Sequence, residues 1–252
     1  MVDPQMISAL KGESPAVQGL FGVPDMQLNN LSGKNGMSKE FYLIRHGSTK
    51  LNKQNGGVDK IRGWANVPLS EQGREEIQEL GKKLANSGLK ILVHSDLDRA
   101  RDTAQAIANT TGAQMVPSPL LRPWNVGIFT GKDSNAAHPE LVKLAEKNPD
   151  EPIPQGESFN QFKTRAFDGL RQALVDAKDN PLGVVTHHRV ERLYNAWLAA
   201  GQPPDYSIDF DTMFKHGEDP AVAKRVSVDI SKLFPTSNAR PIPNGSGPPG
   251  AG

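Results

Sequence analysis

The apolar positions of this chain follow two different periods. Short unbroken runs, Phe41-Tyr42-Leu43-Ile44, Ile91-Leu92-Val93 and the stretch 182–186, with Met115-Val116 as a weaker fourth, suit strands buried on both faces. Between them the spacing changes to three and four. Ile77, Leu80 and Leu84 share one helical face behind Ser70, an N-cap residue, and the pattern predicts a stop near Gly88. Ala100, Ala104, Ile107 and Ala108 mark a helix from Asp98 to just before Gly112, and Leu141, Leu144 and Ala145 mark another with Pro139 in its first turn. Ser158 opens a long helix through Phe159, Phe162, Ala166, Leu170, Leu174 and Ala177, and Leu193 and Trp197 belong to one after the last run. Strands alternating with helices predict an α/β three-layer sandwich, a mostly parallel central sheet with helices on both faces. Ligands of such sheets lie beyond the carboxyl ends of strands, at a topological switch point. Chemistry is therefore sought in the residues just past each strand.

The two ends lack this patterning. Residues 1–38 scatter Gly12, Pro15, Gly19, Gly22, Pro24, Gly33 and Gly36 among few apolar residues and read as a poorly structured arm, while 236–252, rich in glycine and proline, cannot bury enough apolar surface to offset its ordering entropy. A domain over 39–235 remains. The whole chain of 252 residues carries 29 Lys+Arg against 28 Asp+Glu, a balance that argues against a nucleic-acid or membrane-surface binder. It has no cysteine, which removes disulfides, thiolate zinc sites and a cysteine nucleophile. No basic leader or membrane-length apolar run is present, so a cytoplasmic protein is expected.

Three of the strand ends each deliver a cation or an imidazole. Arg45-His46-Gly47-Ser48-Thr49 comes after the first strand, a layout suited to an oxyanion, with a glycine that lets the backbone approach a ligand. Ser95-Asp96-Leu97-Asp98-Arg99 comes after the second and sets Arg99 in the first turn of a helix, and Thr186-His187-His188 closes the late strand. On a strand His187 and His188 point to opposite faces, which speaks against a two-histidine metal site; His188 reads as a pocket-rim residue. His94, His138 and His216 read as structural or surface histidines. Gly127 through Asp133 imitates a nucleotide phosphate loop but is one residue short between its glycines, with Asp133 where a hydroxyl is needed. Arg62, Trp64, Arg122 and Trp124 are read as shaping the substrate entrance, the two tryptophans being equally suited to covering the core.

Together these blocks resemble the histidine phosphatase superfamily, the group that includes phosphoglycerate mutases. Leu43 through Asn52 is similar to its signature, with Arg45, His46, Gly47, Thr49 and Asn52 on matching positions; Gly63-Trp64, Pro68 through Gly73, Ser95 through Ala104, Gly156-Glu157-Ser158 and Thr186-His187 come after it in the family's order over about 40–200. The resemblance implies His46 as a nucleophile that forms a phosphohistidine, Arg45, Arg99 and His187 as cationic phosphate partners, and Gly47, Thr49, Asn52, Arg62, Gly63 and His188 around the phosphate. It implies no metal and no cofactor, since fixed charges stabilise the transferring phosphoryl group. A metal-independent phosphohydrolase acting on a small phosphate ester or a phosphoprotein is the expected function. The rivals are a phosphoglycerate mutase-type phosphotransferase and a scaffold that kept the fold.

One position departs from the family. Where its members usually carry a glutamate or aspartate that protonates the leaving oxygen, Pro123 stands in Leu120-Leu121-Arg122-Pro123-Trp124. Asp133 and Glu157 are the candidate substitutes for that acid, with Asp59 and Asp98 behind them. Without any acid, an enzyme of this type favours good leaving groups.

Overall fold

The computed structural model describes residues 38–52, 58–208, 210–215 and 217–234; the expected arm, Ser38 apart, the expected tail and His216 lie outside them. Five strands form one sheet: β1 (Ser38–Arg45), β2 (Ile91–His94), β3 (Gln114–Pro117), β4 (Leu182–Thr186) and β5 (Ala223–Asp229), in the order β3-β2-β4-β1-β5. Only β5 is antiparallel, paired to β1 along its edge. The four expected strands are present. β5 is an addition; its alternation, with Val226 and Val228 buried between exposed Lys224, Arg225 and Ser227, is the half-buried period of an edge strand.

Two helices, α1 (Glu71–Leu84) and α2 (Asp98–Thr111), cover one face of the sheet, where Leu80, Leu84, Ala100, Ala104 and Ile107 pack on Ile44, Leu92 and Val185. The other face holds the larger core, in which Phe41, Leu43, Val93 and Val184 meet α3 (Ser134–Lys147), α4 (Phe159–Ala177) and α5 (His188–Ala199). Two short helices, α6 (Phe210–Lys215) and α7 (Ile230–Leu233), complete that layer. The three-layer α/β arrangement follows from the strands themselves, since successive residues of β1 feed opposite cores.

Helix boundaries obey local chemistry. Ser70 caps α1 by accepting from the Gly73 N–H, Gly112 ends α2 at φ 69°, and Ser158 with Gln161 forms a reciprocal capping box at the start of α4. Two boundaries differ from expectation. α1 stops at Leu84 rather than near Gly88, and α3 begins at Ser134, so Pro139 lies inside it instead of in its first turn. Asp133 makes that early start workable, its carboxylate accepting from the N–H groups of Asn135 and Ala136, and burial of Ala137 and Leu141 holds the helix across the proline.

β1 and β4 are neighbours whose chains leave toward opposite faces, β1 to α1 and β4 to α5. Their carboxyl ends therefore open a crevice.

Candidate active site

The crevice is a cavity of about 360 Å³ whose lining includes His46, Arg62, Gly63, Arg99, Pro123, Trp124, His187, His188, Arg189 and Arg192, together with Asp59, Ser134, Asn135, His138 and Phe214. Three strand ends meet there, as the sequence pattern predicts. His46 is the residue after β1, Arg99 stands in the first turn of α2 behind β2, and His187 is the residue between β4 and α5.

His46 is 3% exposed, and its Nδ1 lies 2.7 Å from the Gly47 carbonyl oxygen. A carbonyl only accepts, so Nδ1 carries the proton and Nε2 keeps its lone pair. Burial, reinforced by Arg99 and Arg62, holds this imidazole well below the usual histidine range. The ring sits edge-on to His187, centroids 5.0 Å apart.

His187 is fixed from both sides. Arg99 Nε donates to its Nδ1 at 3.2 Å, which leaves Nε2–H to donate to Ser95 Oγ at 2.8 Å. Burial first, then Arg99, keeps this group well below the usual range too. His187 thus stands neutral, not as the cation expected from the sequence, because it is buried and Arg99, its charged hydrogen-bond partner, is a donor. Arg99 in turn donates to the carbonyls of Ala65 at 2.9 Å and Gly63 at 3.1 Å, so its guanidinium is held rigidly; burial and Arg62 bring it to about 9, still charged at neutral pH.

Arg45 lies behind the lining. Its Nη1 donates to the Glu218 carbonyl, its Nε is buried without a partner, and burial with Arg62 nearby lowers it to about 10. Gly47 owes its identity to packing: a Cβ there would stand 2.7 Å from both the Gly73 carbonyl and Ile77, and its N–H donates to Thr103 Oγ1. Thr49 gives both its N–H and its hydroxyl to Asn52 Oδ1, and Arg62 reaches Thr49 Oγ1 at 3.4 Å. These residues brace the loop around Arg62, which itself lines the cavity with Gly63 and His188.

His188 does not point away from His187 as a strand would require. The strand ends at Thr186 and α5 begins at His188, so both rings face the same cavity. His138, expected as a structural or surface histidine, packs between Phe210 and Phe214 and also lines the cavity. Sequence reasoning missed Arg189 and Arg192; their i, i+3 spacing right after a strand-end histidine was the available signal.

Neither candidate substitute acid reaches the cavity. Asp133 is committed to capping α3. Glu157 accepts from Arg165 at 2.5 and 3.0 Å and from the Asn125 N–H at 2.9 Å, a strut for the loop that carries Pro123. Asp98 pairs with Arg101 and Asn66 outside the lining. Pro123 does line the cavity, its carbonyl accepting from Trp64 and Arg165. Arg122 is tied to Asp96 and covers Trp64, so of the four expected entrance residues Arg62 and Trp124 line the cavity. The lining carboxylate is Asp59, 3.4 Å from Arg62.

The profile of the histidine phosphatase superfamily (branch 1) matches residues 41–213. Over 139 residues the chain is 33% identical to the "Probable phosphoglycerate mutase GpmB" of Erwinia tasmaniensis, covering 54% of this chain and 61% of the relative. Over 152 residues it is 27% identical to the protein of the same name from Serratia proteamaculans, covering 59% and 69%. In three dimensions 75% of the chain matches 90% of a mycobacterial glucosyl-3-phosphoglycerate phosphatase, with a TM-score of 0.58 at 23% identity, a likeness of fold. Among the described residues no helix is long and apolar enough to cross a membrane.

Proposed function

The chain belongs to the histidine phosphatase superfamily, and on that premise we propose that it is a phosphohydrolase that works through a phosphohistidine on His46 and needs no metal ion. The observation that carries this reading is the state of His46: buried, neutral, its proton anchored on the Gly47 carbonyl and its Nε2 lone pair free in a cavity lined by guanidinium groups. The lone pair bonds to phosphorus as the ester P–O bond breaks. The leaving oxygen departs with the electron pair and takes a proton from solvent. Water then attacks the phosphohistidine, the N–P pair returns to Nε2, and orthophosphate leaves as water's proton passes to solvent. Arg99 and Arg62, with Arg45 behind them, neutralise the charge on the equatorial oxygens, the task a metal performs elsewhere.

Leaving-group protonation is where this site is weakest. Pro123 transfers no proton, and Asp59 faces the Arg62 guanidinium, where a carboxylate acts as acceptor. A general acid contributes about 10²–10⁴ in rate, and its absence matters least for aryl phosphates, acyl phosphates, anhydrides and phosphoramidates. We read the enzyme as favouring these. The decisive experiment incubates wild type and His46→Ala with an aryl phosphate without added metal, then looks for phosphate release and an acid-labile phosphoprotein. Label on His46 with release is the expected result; label on another residue, or no turnover from pH 4 to 9, overturns the mechanism. Equal kcat/KM on aryl and alkyl phosphates refutes the leaving-group bias. Phosphoryl transfer within a phosphoglycerate, the activity in the relatives' name, is distinguished by supplying a phosphoglycerate and following isomerisation against phosphate release.

A further inference from the structure

We propose that the cavity holds a second anion subsite, formed by His188, Arg189 and Arg192 on the first turns of α5, and that the substrate is a small phosphate ester bearing a second anionic group. The substrate class rests on the phosphohydrolase reading; the subsite does not.

Arg189 and Arg192 are three residues apart on one helix, so they share a face, and both line the cavity with His188. Neither forms an ion pair among the described residues. Arg189 Nη1 and Arg192 Nε are buried with no hydrogen-bond partner. Such groups cost free energy unless something accepts from them, and a guanidinium has no other use for its N–H donors. Aromatic rings hold both in place, Trp124 under Arg189 at 5.5 Å and Phe214 under Arg192 at 4.9 Å, contacts that steady a cation without taking its in-plane donors.

The carboxylates nearby are engaged elsewhere. Glu191, on the same helix, accepts from the Glu218 N–H at 3.1 Å and from Asn195 at 2.6 Å, and Asp59 stands against Arg62. The groups facing the pair are otherwise Arg45, Arg62 and His188. Arg189 falls to about 10 through burial and the charges of Arg192 and Arg62, and His188 to about 2 through burial, Arg45 and Arg192. Asp59 offsets part of the charge on both guanidiniums and Glu191 part of that on Arg192, yet among the described residues no carboxylate pairs with either of them, and the region stays a concentration of positive charge.

Two further facts make this charge surplus to the phosphoryl group. Arg99 and Arg62 already flank His46 in the lining, with Arg45 behind. A cavity of about 360 Å³ is in the size range of sites for whole small molecules, roughly 300–1,000 Å³, well above the needs of one phosphoryl group. A ligand with its phosphate at His46 and a carboxylate or second phosphate at Arg189 and Arg192 satisfies both.

Non-hydrolysable ligands test this without requiring turnover. Calorimetric affinities are measured for alkylphosphonates of one to four carbons, and for the phosphono-carboxylates and bisphosphonates of the same lengths. At least one doubly anionic ligand should bind about tenfold more tightly than its matched alkylphosphonate, the effect of one charge-assisted contact. Arg189→Gln and Arg192→Gln should each shrink that ratio, read within each variant, and Arg192→Lys should retain part of it. A gain confined to one series identifies the second group as carboxylate or phosphate. Equal affinities at every length, or a ratio that survives both glutamine substitutions, overturns the subsite. A ratio without label on His46 leaves the subsite standing and sinks the phosphohydrolase reading; label on His46 without a ratio does the reverse.

Discussion

Replacing Glu157 with glutamine separates the general-acid role expected from the sequence from the structural strut found in the fold. Glu157 Oε1 accepts from Arg165 Nη2 at 2.5 Å and from the Asn125 N–H at 2.9 Å, while Oε2 accepts from Arg165 Nε at 3.0 Å. The same guanidinium donates to the carbonyls of Leu120, Arg122 and Pro123, so one buried ion pair clamps the whole loop that forms the cavity wall. Glutamine keeps a single acceptor oxygen and turns its amide toward a donor. The variant loses one charge-assisted hydrogen bond, about 1.5–3 kcal/mol, and leaves Arg165 unpaired, the situation that costs about 3–5 kcal/mol when a buried pair is broken. Side-chain exposures of 11% and 13% leave slight solvent relief, which places the loss at about 2–4 kcal/mol. For a domain of this size each kcal/mol moves Tm by about 2–4 °C, so thermal denaturation should show a fall of roughly 4–16 °C. At a temperature where the variant is folded, its preference for aryl over alkyl phosphates should match wild type. An unchanged Tm with a loss of ~10²–10⁴ confined to alkyl substrates would make Glu157 the acid and refute the strut.

Gly73→Ala should abolish activity while α1 remains helical, because a Cβ there would stand 1.9 Å from the Ser48 carbonyl oxygen and so displace the loop after His46; full activity by phosphatase assay would contradict that packing. Acid should destabilise the protein early. His46, His187, His188 and His94 are all lowered in the folded state, so below pH 6.5 the unfolded chain takes up protons that the folded one does not. Glu191, raised to about 7 by burial, opposes this because its folded form is already protonated there. The histidines outnumber it, and at ~1.4 kcal/mol per proton per pH unit the net loss from pH 6.5 to 5.5 is about 2–3 kcal/mol. Urea titrations at the two pH values check it, and equal midpoints would show that these imidazoles are solvated. Over the same interval kcat/KM should show no acid limb near 6.5, since His46 stays unprotonated.

Much of the fold was legible because local rules and tertiary packing agree. Three of the four parallel strands are built on apolar runs, as burial on both faces requires, while the edge strand β3 has half-buried Met115 and Val116 between exposed ends, and Ser70, Gly112 and Ser158 mark helix ends through backbone groups that only such residues satisfy. The misread places are those where something distant decides. Pro139 signals a helix start, but the Asp133 cap, six residues earlier, had already begun the helix. β5 is short of apolar residues because just one of its faces is buried, and its partner β1 lies far away in sequence.

The site divides along the same line. The sequence by itself determined the chemical types at three strand ends, His46, Arg99 and His187, because parallel topology gathers carboxyl ends on one rim. It also determined that Pro123 brings no acid. Tertiary structure alone decided charge states and company. His187 is neutral because it is buried and Arg99 spends a donor on it, and Arg45 stands behind the wall because Glu218, far along the chain, takes its guanidinium. Glu157 is a strut because Arg165 meets it. Arg189 and Arg192 look like ordinary surface cations in one dimension; the first turns of α5 place them in the cavity lining, where burial of Arg189 Nη1 and Arg192 Nε removes the water that would have satisfied these atoms.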